Sequence, residues 1–424
     1  MQFDAKTKNR ALGLIFFILL MDVMGMSLLF PVAPYIVQRY SDKALMVTML
    51  TVIYAAAQFF AAPALGKISD RVGRRPVLLV CVLGSAMGYF IFGVGGALWI
   101  LFLSRLIDGV TGGNISTASA YIIDVSRPEE RAQTFTLIGI AYGVGFILGP
   151  AVGGALGQWN LDAPLFAAGV LSLASAGMVY FTLPESLIEE HRLKTPLAAR
   201  DFNPFASIAQ MAFKPGLASI LLVIALFNFS FDGVNSVTGV FLKDKFAASP
   251  LTLGLLFVLV GVATAFVQAT LVGRLVARFG EKRLALVGLL ASVTGWPLIA
   301  LAPTLGVLFP VAFLQSGVTG FIWATTGVLA ADRVAEHEQG QLAGVNVALG
   351  GLMTMLGPLW AGSVYDHLHP SAPFWMGALL LGFACLLLAR VRVKKAAKQE
   401  GRISNFELRS ARDITQRRQA RKDL

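Results

Sequence analysis

Charge is scarce in this chain: Asp, Glu, Lys and Arg make up 14% of its 424 residues, against 56% hydrophobic, and the mean hydropathy is +0.70. Soluble domains carry about a quarter charged residues, so a water-soluble globular protein is excluded. Only two cysteines are present, Cys81 and Cys385, both inside apolar runs, which excludes a disulfide framework. The four histidines, His191, His337, His367 and His369, fall between apolar runs. His367 and His369 are two residues apart beside Asp366 without further ligands, so no metal site is expected. No Gly-Lys-Ser/Thr phosphate loop occurs, so ATP is not the expected energy source. No enzyme signature stands out, and neither catalytic residues nor a cofactor are expected.

What the chain has in quantity is long apolar runs. Twelve are long enough to cross a hydrocarbon core of about 30 Å as helix: roughly 11–35, 45–66, 77–97, 98–124, 132–157, 163–183, 216–242, 250–272, 284–302, 304–331, 341–365 and 371–391. Arg75-Pro76, Arg127-Pro128, Ser249-Pro250, Ala302-Pro303 and His369-Pro370 separate them. The first run is too long for a signal-peptide core and lacks a small-residue cleavage site. Net charge is +11, but the basic residues sit mostly in short loops and a tail, as topology requires. Nucleic acid is therefore not an expected partner; the lipid bilayer is. By the positive-inside rule both termini are expected in the cytoplasm, in a multi-pass inner-membrane protein.

The chain repeats itself. Gly66-Lys67-Ile68-Ser69-Asp70-Arg71-Val72-Gly73-Arg74-Arg75-Pro76 returns, 207 residues on, as Gly273-Arg274-Leu275-Val276-Ala277-Arg278-Phe279-Gly280-Glu281-Lys282-Arg283. Gly109, Gly112, Asp124 and Pro150 recur at Gly317, Gly320, Asp332 and Pro358, each 208 residues on. Such spacing implies two six-helix halves in parallel repeat, with a ligand site near the midplane between them. The expected organisation is an N-terminal half (1–183), a cytoplasmic linker (184–215), a C-terminal half (216–391) and a basic cytoplasmic tail (392–424). An amphipathic stretch, Asn203 to Ile208, suggests a surface helix in the linker.

The arginine loop, the Gly-Pro-rich fifth span and the duplicated twelve-span plan resemble the major facilitator superfamily. Leu20 to Gly25, Phe30 to Pro34, and Leu183-Pro184-Glu185-Ser186 followed by Asn203-Pro204 resemble its drug–proton antiporters, tetracycline exporters in particular. The resemblance implies an all-α membrane protein of twelve helices in two pseudo-symmetric halves. It also implies that the arginine loop closes the cytoplasmic side, with Gly66, Asp70, Arg71, Gly73, Arg74, Arg75, Asp124 and Arg131 as the gate. Physically, Asp70 can sit at the N-terminus of a helix of the other half, where the dipole favours a carboxylate. Arg74 can reach Asp124. The second copy has Ala277 in place of Asp70, so a weaker latch is expected there. In the fifth span Gly145, Gly149, Pro150, Gly153 and Gly154 allow backbone-to-backbone packing and a bend; in the family this motif marks antiporters.

Charge inside the spans marks chemistry, because it is costly there. Asp22 lies in span 1, Arg105 and Asp108 in span 4, and Asp232 in span 7. Asp22 and Asp232 are 210 residues apart and are expected to face a central cavity from matching helices; Arg105 and Asp108, three apart, can pair. A carboxyl group in a low dielectric tends toward its neutral form and a nearby arginine opposes this, the balance that proton coupling needs. Asp22, Asp232, Asp108 and Arg105 are the proton-coupling candidates. Asn114, Asn228, Gln268, Tyr142 and Phe231 are the substrate-binding candidates, with Phe227, Phe229 and Trp296 as further aromatic surface. Tetracycline exporters carry acidic residues in spans 3 and 9; here the places read Gly88-Tyr89 and Gly288 to Ser292. The substrate class is therefore left open. The expected function is export of a small drug-like or amphipathic compound in exchange for protons, by a monomer. Export of an endogenous metabolite (a sugar, siderophore or amino-acid derivative) is the alternative, and a non-transporting receptor or scaffold the third.

Overall fold

The computed structural model describes residues 4–193, 211, 214, 216–335 and 338–391, and among these there are helices and turns but no strand. The amphipathic stretch at 203–208 and the tail from 392 lie outside the described residues. Among the described residues, eleven helices are individually long and apolar enough to cross a membrane. They are α1 (Ala5–Leu28), α3 (Ala44–Val72), α4 (Arg74–Val94), α7 (Arg131–Trp159) and α8 (Ala163–Thr182), then α9 (Ala218–Phe246), α10 (Pro250–Thr270), α12 (Glu281–Leu301), α13 (Leu305–Ala331), α14 (Gln339–His367) and α15 (Ala372–Arg390). Short helices also lie between them among the described residues, including α2 (Ala33–Gln38) and α11 (Val272–Phe279).

The twelfth crossing corrects the sequence reading. Residues 98–124 are not one helix but two, α5 (Leu98–Thr111) and α6 (Asn114–Val125), broken at Gly112-Gly113. A break inside a span frees backbone polar groups that lipid cannot satisfy. Here the side chain of Gln58 on α3 donates to the Gly112 carbonyl at 2.7 Å. Gly109 lies so close to α3 that a Cβ on it would strike the Tyr54 carbonyl.

The two arginine loops are nearly all helix. Gly73 joins α3 to α4 at φ 109°, and Gly280 joins α11 to α12 at φ 79°. L-residues are strained there, which accounts for a glycine at both repeat positions.

The halves meet at the end remote from these loops. An added Cβ on Gly154 of α7 would lie 2.8 Å from the Pro250 carbonyl and 3.1 Å from Gly254 Cα on α10. At the repeat-related Gly362 of α14 it would lie 2.9 Å from Leu45 Cα on α3. Phe30 and Phe257 approach to 5.9 Å, and the Tyr35 hydroxyl donates to the Ala248 carbonyl. Asp366, at the end of α14, accepts from the backbone N–H groups of Ala44 at 2.8 Å and Leu45 at 2.9 Å, so a carboxylate of one half caps a helix of the other. Toward the arginine-loop end the same helices stand clear of one another: among the described residues, a Cβ on Gly66, Gly139, Gly143, Gly340 or Gly344 would meet nothing within 4 Å.

The cap predicts an effect on conformation. Capping and dipole contacts contribute about 1 kcal/mol, so Asp366→Ala should shift the balance toward opening at this end roughly 5-fold. Spin-label distances between cysteines at Asp42 and His369, with Cys81 and Cys385 replaced, check it: a longer-distance population should grow.

Candidate functional site

At the arginine-loop end, side chains bind the N-terminal half to itself. Arg74 is buried, with Nη1 2.5 Å from Asp70 Oδ1 and 2.6 Å from Ser69 Oγ, and Nε 3.1 Å from Asp124 Oδ2. The Ser186 hydroxyl donates to the same Asp124 oxygen at 3.0 Å. Asp70 thus pairs within its own turn instead of capping a helix of the other half, and Leu193 N donates to its carbonyl oxygen. The capping carboxylate is Glu185, which the sequence reading did not single out. It accepts from Arg74 N at 2.8 Å and Arg75 N at 3.1 Å, filling the space over Gly73 at the N-terminus of α4. Arg75 turns the other way and donates to the carbonyls of Val179 and Tyr180 at the end of α8. Its repeat counterpart Lys282 donates to the Ala389 carbonyl of α15 at 2.7 Å.

The remaining gate candidates are placed otherwise. Arg71 is exposed, lining a shallow depression with Ile68, Val72 and Leu193. Arg131 starts α7 and does not join the Arg74 cluster; its Nε is buried without a hydrogen-bond partner among the described residues. Gly66 makes no close helix approach. Among the described residues the second loop is the looser copy, for a Cβ on Gly280 would meet none of them within 4 Å.

Glu185 gives a measurable consequence. A charged group on backbone N–H donors contributes about 1.5–3 kcal/mol, so Glu185→Ala should lower the unfolding temperature of the purified protein by several degrees. Differential scanning fluorimetry checks this, and an unchanged transition would remove the cap from the account.

The fifth-span motif divides its contacts between two partners. Gly145, Gly149 and Gly153 pack on α1, at Val23, Ser27 and Leu28, and the Ser27 hydroxyl lies 3.1 Å from the Gly145 carbonyl. Pro150 and Gly154 face α10 of the other half. One stripe of small residues therefore holds a helix inside its half, and the adjacent stripe forms the seam between halves.

Polar groups gather inside the N-terminal half around the broken span. Asn114, the first residue of α6, donates from Nδ2 to Asp22 Oδ1 on α1 at 2.8 Å, and its own Oδ1 has no partner among the described residues. Arg105 and Asp108 on α5 are both 2% exposed and pair at 2.9 Å. The guanidinium lies 5.1 Å from the ring centres of both Tyr89 and Phe92, while Nε and Nη2 have no hydrogen-bond partner among the described residues. Gly88 permits this packing, since a Cβ there would lie 3.0 Å from the Ser104 carbonyl. Tyr54, Tyr142 and Cys81 lie within electrostatic reach of Asp22. Gln58, which bonds both Tyr54 and the span-4 break, was not named from sequence. A polar side chain within a span was its available signal.

The C-terminal half is less charged. Asp232 of α9 accepts from the Thr354 hydroxyl of α14 at 2.7 Å. Phe231 packs with Phe227 and Trp323 at ring distances of 5.5 and 5.7 Å, and Phe229 with Trp360 at 5.1 Å. Asn228 is buried and donates one Nδ2 hydrogen bond to the Ile224 carbonyl of its own helix. Gln268 is exposed on α10, 3.9 Å from the place a Cβ on Gly320 would take. Tyr142 is half-buried and begins a row of rings, Tyr142–Phe146–Phe30–Phe257, that crosses between halves. Trp296 is buried against Gly377. In place of a span-9 acid the chain has a neutral buried network, Ser292 with Thr319 at 2.8 Å and Gln315 to Thr319 at 2.9 Å.

Known proteins share this chain's sequence and fold. It is 34% identical over 394 residues to the tetracycline resistance protein, class C, of Escherichia coli, covering 92% of this chain and 98% of that protein. It is 25% identical to multidrug resistance protein 2 of Bacillus subtilis (strain 168), covering 90% and 97%. Among solved structures, the human organic anion transporter MFSD10 (TETRAN) superposes with a TM-score of 0.68 at 26% identity, over 90% of this chain and 99% of that one. The family model of the Major Facilitator Superfamily matches residues 15–241 and 220–423. The duplicated twelve-crossing architecture and these matches agree: the chain belongs to the Major Facilitator Superfamily.

Proposed function

We propose that the protein is a secondary active transporter that exports a drug-like organic compound in exchange for protons by alternating access. The observation that carries this reading is the cluster of Asp22, Asn114, Arg105 and Asp108 inside the membrane, built around a broken span. Discontinuous spans near the midplane are typical of carrier sites, and buried carboxylates have no purpose in a scaffold. Relatives named for tetracycline and multidrug resistance support export of a small organic compound.

Both termini and the arginine loops face the cytoplasm in this reading, as their basic residues favour. The arrangement seen is then the cytoplasm-open state, sealed outside by the Gly154 and Gly362 seams and the Asp366 cap. Compound enters from the cytoplasm and proton from outside. Rocking of the halves closes the arginine-loop end and parts the seams. Asp108 keeps Arg105 as a resident partner, so it holds charge in place, while Asp22 has no cation bonded to it among the described residues and is the proton carrier.

The test is acid-driven uptake of a fluorescent drug into inverted membrane vesicles. Uptake should collapse when an uncoupler removes the proton gradient; undiminished uptake would overturn antiport. A second reading, export of an organic anion, draws on the two unpartnered nitrogens of Arg105 and on the human organic anion transporter that shares the fold.

A further inference from the structure

The break in span 4 is held open from α3. Gln58 donates from Nε2 to the Gly112 carbonyl at 2.7 Å and to the Tyr54 hydroxyl, one turn earlier on its own helix, at 3.1 Å. In an unbroken helix the Gly112 carbonyl would accept from the N–H of Ser116, four residues on. Gln58 takes that place, so α5 stops at Thr111 and α6 starts afresh at Asn114. The seat is tight on both sides of the break. A Cβ on Gly109 would strike the Tyr54 carbonyl, and one on Gly113 would lie 2.5 Å from Leu65 Cδ1. Gly113 also makes a backbone hydrogen bond to the Cys81 sulfur of α4.

The restart decides what Asp22 meets. Asn114 is the first residue of α6, and its Nδ2 donates to Asp22 Oδ1 at 2.8 Å. The other groups within electrostatic reach of Asp22 are Tyr54, Cys81, Tyr142 and Asp108, which offer it no positive charge. An ionised carboxylate inside a span is costly unless donors meet it. Asn114 supplies a donor, and the first turn of a helix is where a carboxylate is favoured. Both depend on a helix beginning at this depth in the membrane.

We propose that Gln58 is a positioning residue of the proton site: it keeps span 4 broken, and the break keeps Asn114 on Asp22, so that this carboxylate can release its proton. Asn114 then serves the proton site, and Gln58 acts through it without touching Asp22. The proposal rests on the antiport reading above and adds to it the part of the fold that lets the carrier discharge.

A double-mutant cycle in reconstituted full-length protein tests it. Gln58→Leu and Asn114→Leu should each lower acid-driven drug uptake about 10-fold. Counterflow of labelled against unlabelled drug should stay within about 2-fold of wild type, which a merely structural role would not allow. The double variant should lose no more than either single one, because the two residues act in series. Gln58→Met, unbranched and without a donor, should repeat the Gln58→Leu result and guards against a variant that fails to fold. Losses that multiply to about 100-fold in the double variant would overturn the proposal. So would unchanged acid-driven uptake in Gln58→Leu, or counterflow lost in both Gln58 variants, which would make Gln58 a structural residue. The antiport reading fails separately, if uptake by wild type survives the uncoupler.

Discussion

Asp22→Asn is expected to abolish proton-driven export while leaving substrate exchange across the membrane in place. The substitution is nearly isosteric, and an asparagine carbonyl can still accept from Asn114, so the α1–α6 contact survives. What is lost is the group that can take and release a proton. A charge near the bilayer centre is worth about 2.5–3.5 kcal/mol, so uptake driven by an acid gradient should fall roughly 100-fold. Counterflow of labelled against unlabelled compound needs no net proton movement and should stay within about 2-fold of wild type. Comparing the two assays separates coupling from structure. Equal loss in both would make Asp22 a structural residue, and wild-type acid-driven uptake would remove it from the mechanism.

Gly154→Val is expected to abolish transport through a different link. The glycine sits where α7 and α10 cross backbone to backbone, and its nearest neighbours are the Pro250 carbonyl and the Cα atoms of Leu251 and Gly254. None can rotate away as a flexible side chain would. A branched side chain must push the halves apart, at about 1–3 kcal/mol for overpacking. That destabilises the state sealed at this end about 5- to 150-fold relative to its alternative, and cycling should drop by a similar factor. Each half keeps its own packing, so the variant should still insert and fold. Spin labels at Asp42 and His369 should report the sealed end opening. Wild-type transport in this variant would mean that the seam is not part of the cycle.

The halves and their helices are legible in the sequence because two physical signals are strong and local. Apolar runs of membrane length set the spans, and recurrence at one offset, from Pro150 to Pro358, sets the duplication. The Arg105–Asp108 pair is legible because residues three apart share a helix face. What escapes is decided by distant parts of the chain. The break at Gly112-Gly113 depends on Gln58 reaching across from α3, and without that partner a glycine pair in a span looks like a packing site. Glu185 caps α4 from 110 residues away and Asp366 caps α3 from 321 residues away, distances at which no periodicity speaks. Asp70 shows the converse, since it finds a nearer partner, Arg74, than the one its chemistry suggested.

The central claim is that the membrane carboxylates exchange protons for an exported organic compound, and purified protein in liposomes tests it most directly. With a pH-sensitive dye trapped inside and no other ion gradient, adding a transported drug outside should move protons across the membrane in the direction opposite to the drug. The proton signal should vanish in Asp22→Asn. Drug movement at the wild-type rate with no accompanying proton flux would contradict the account.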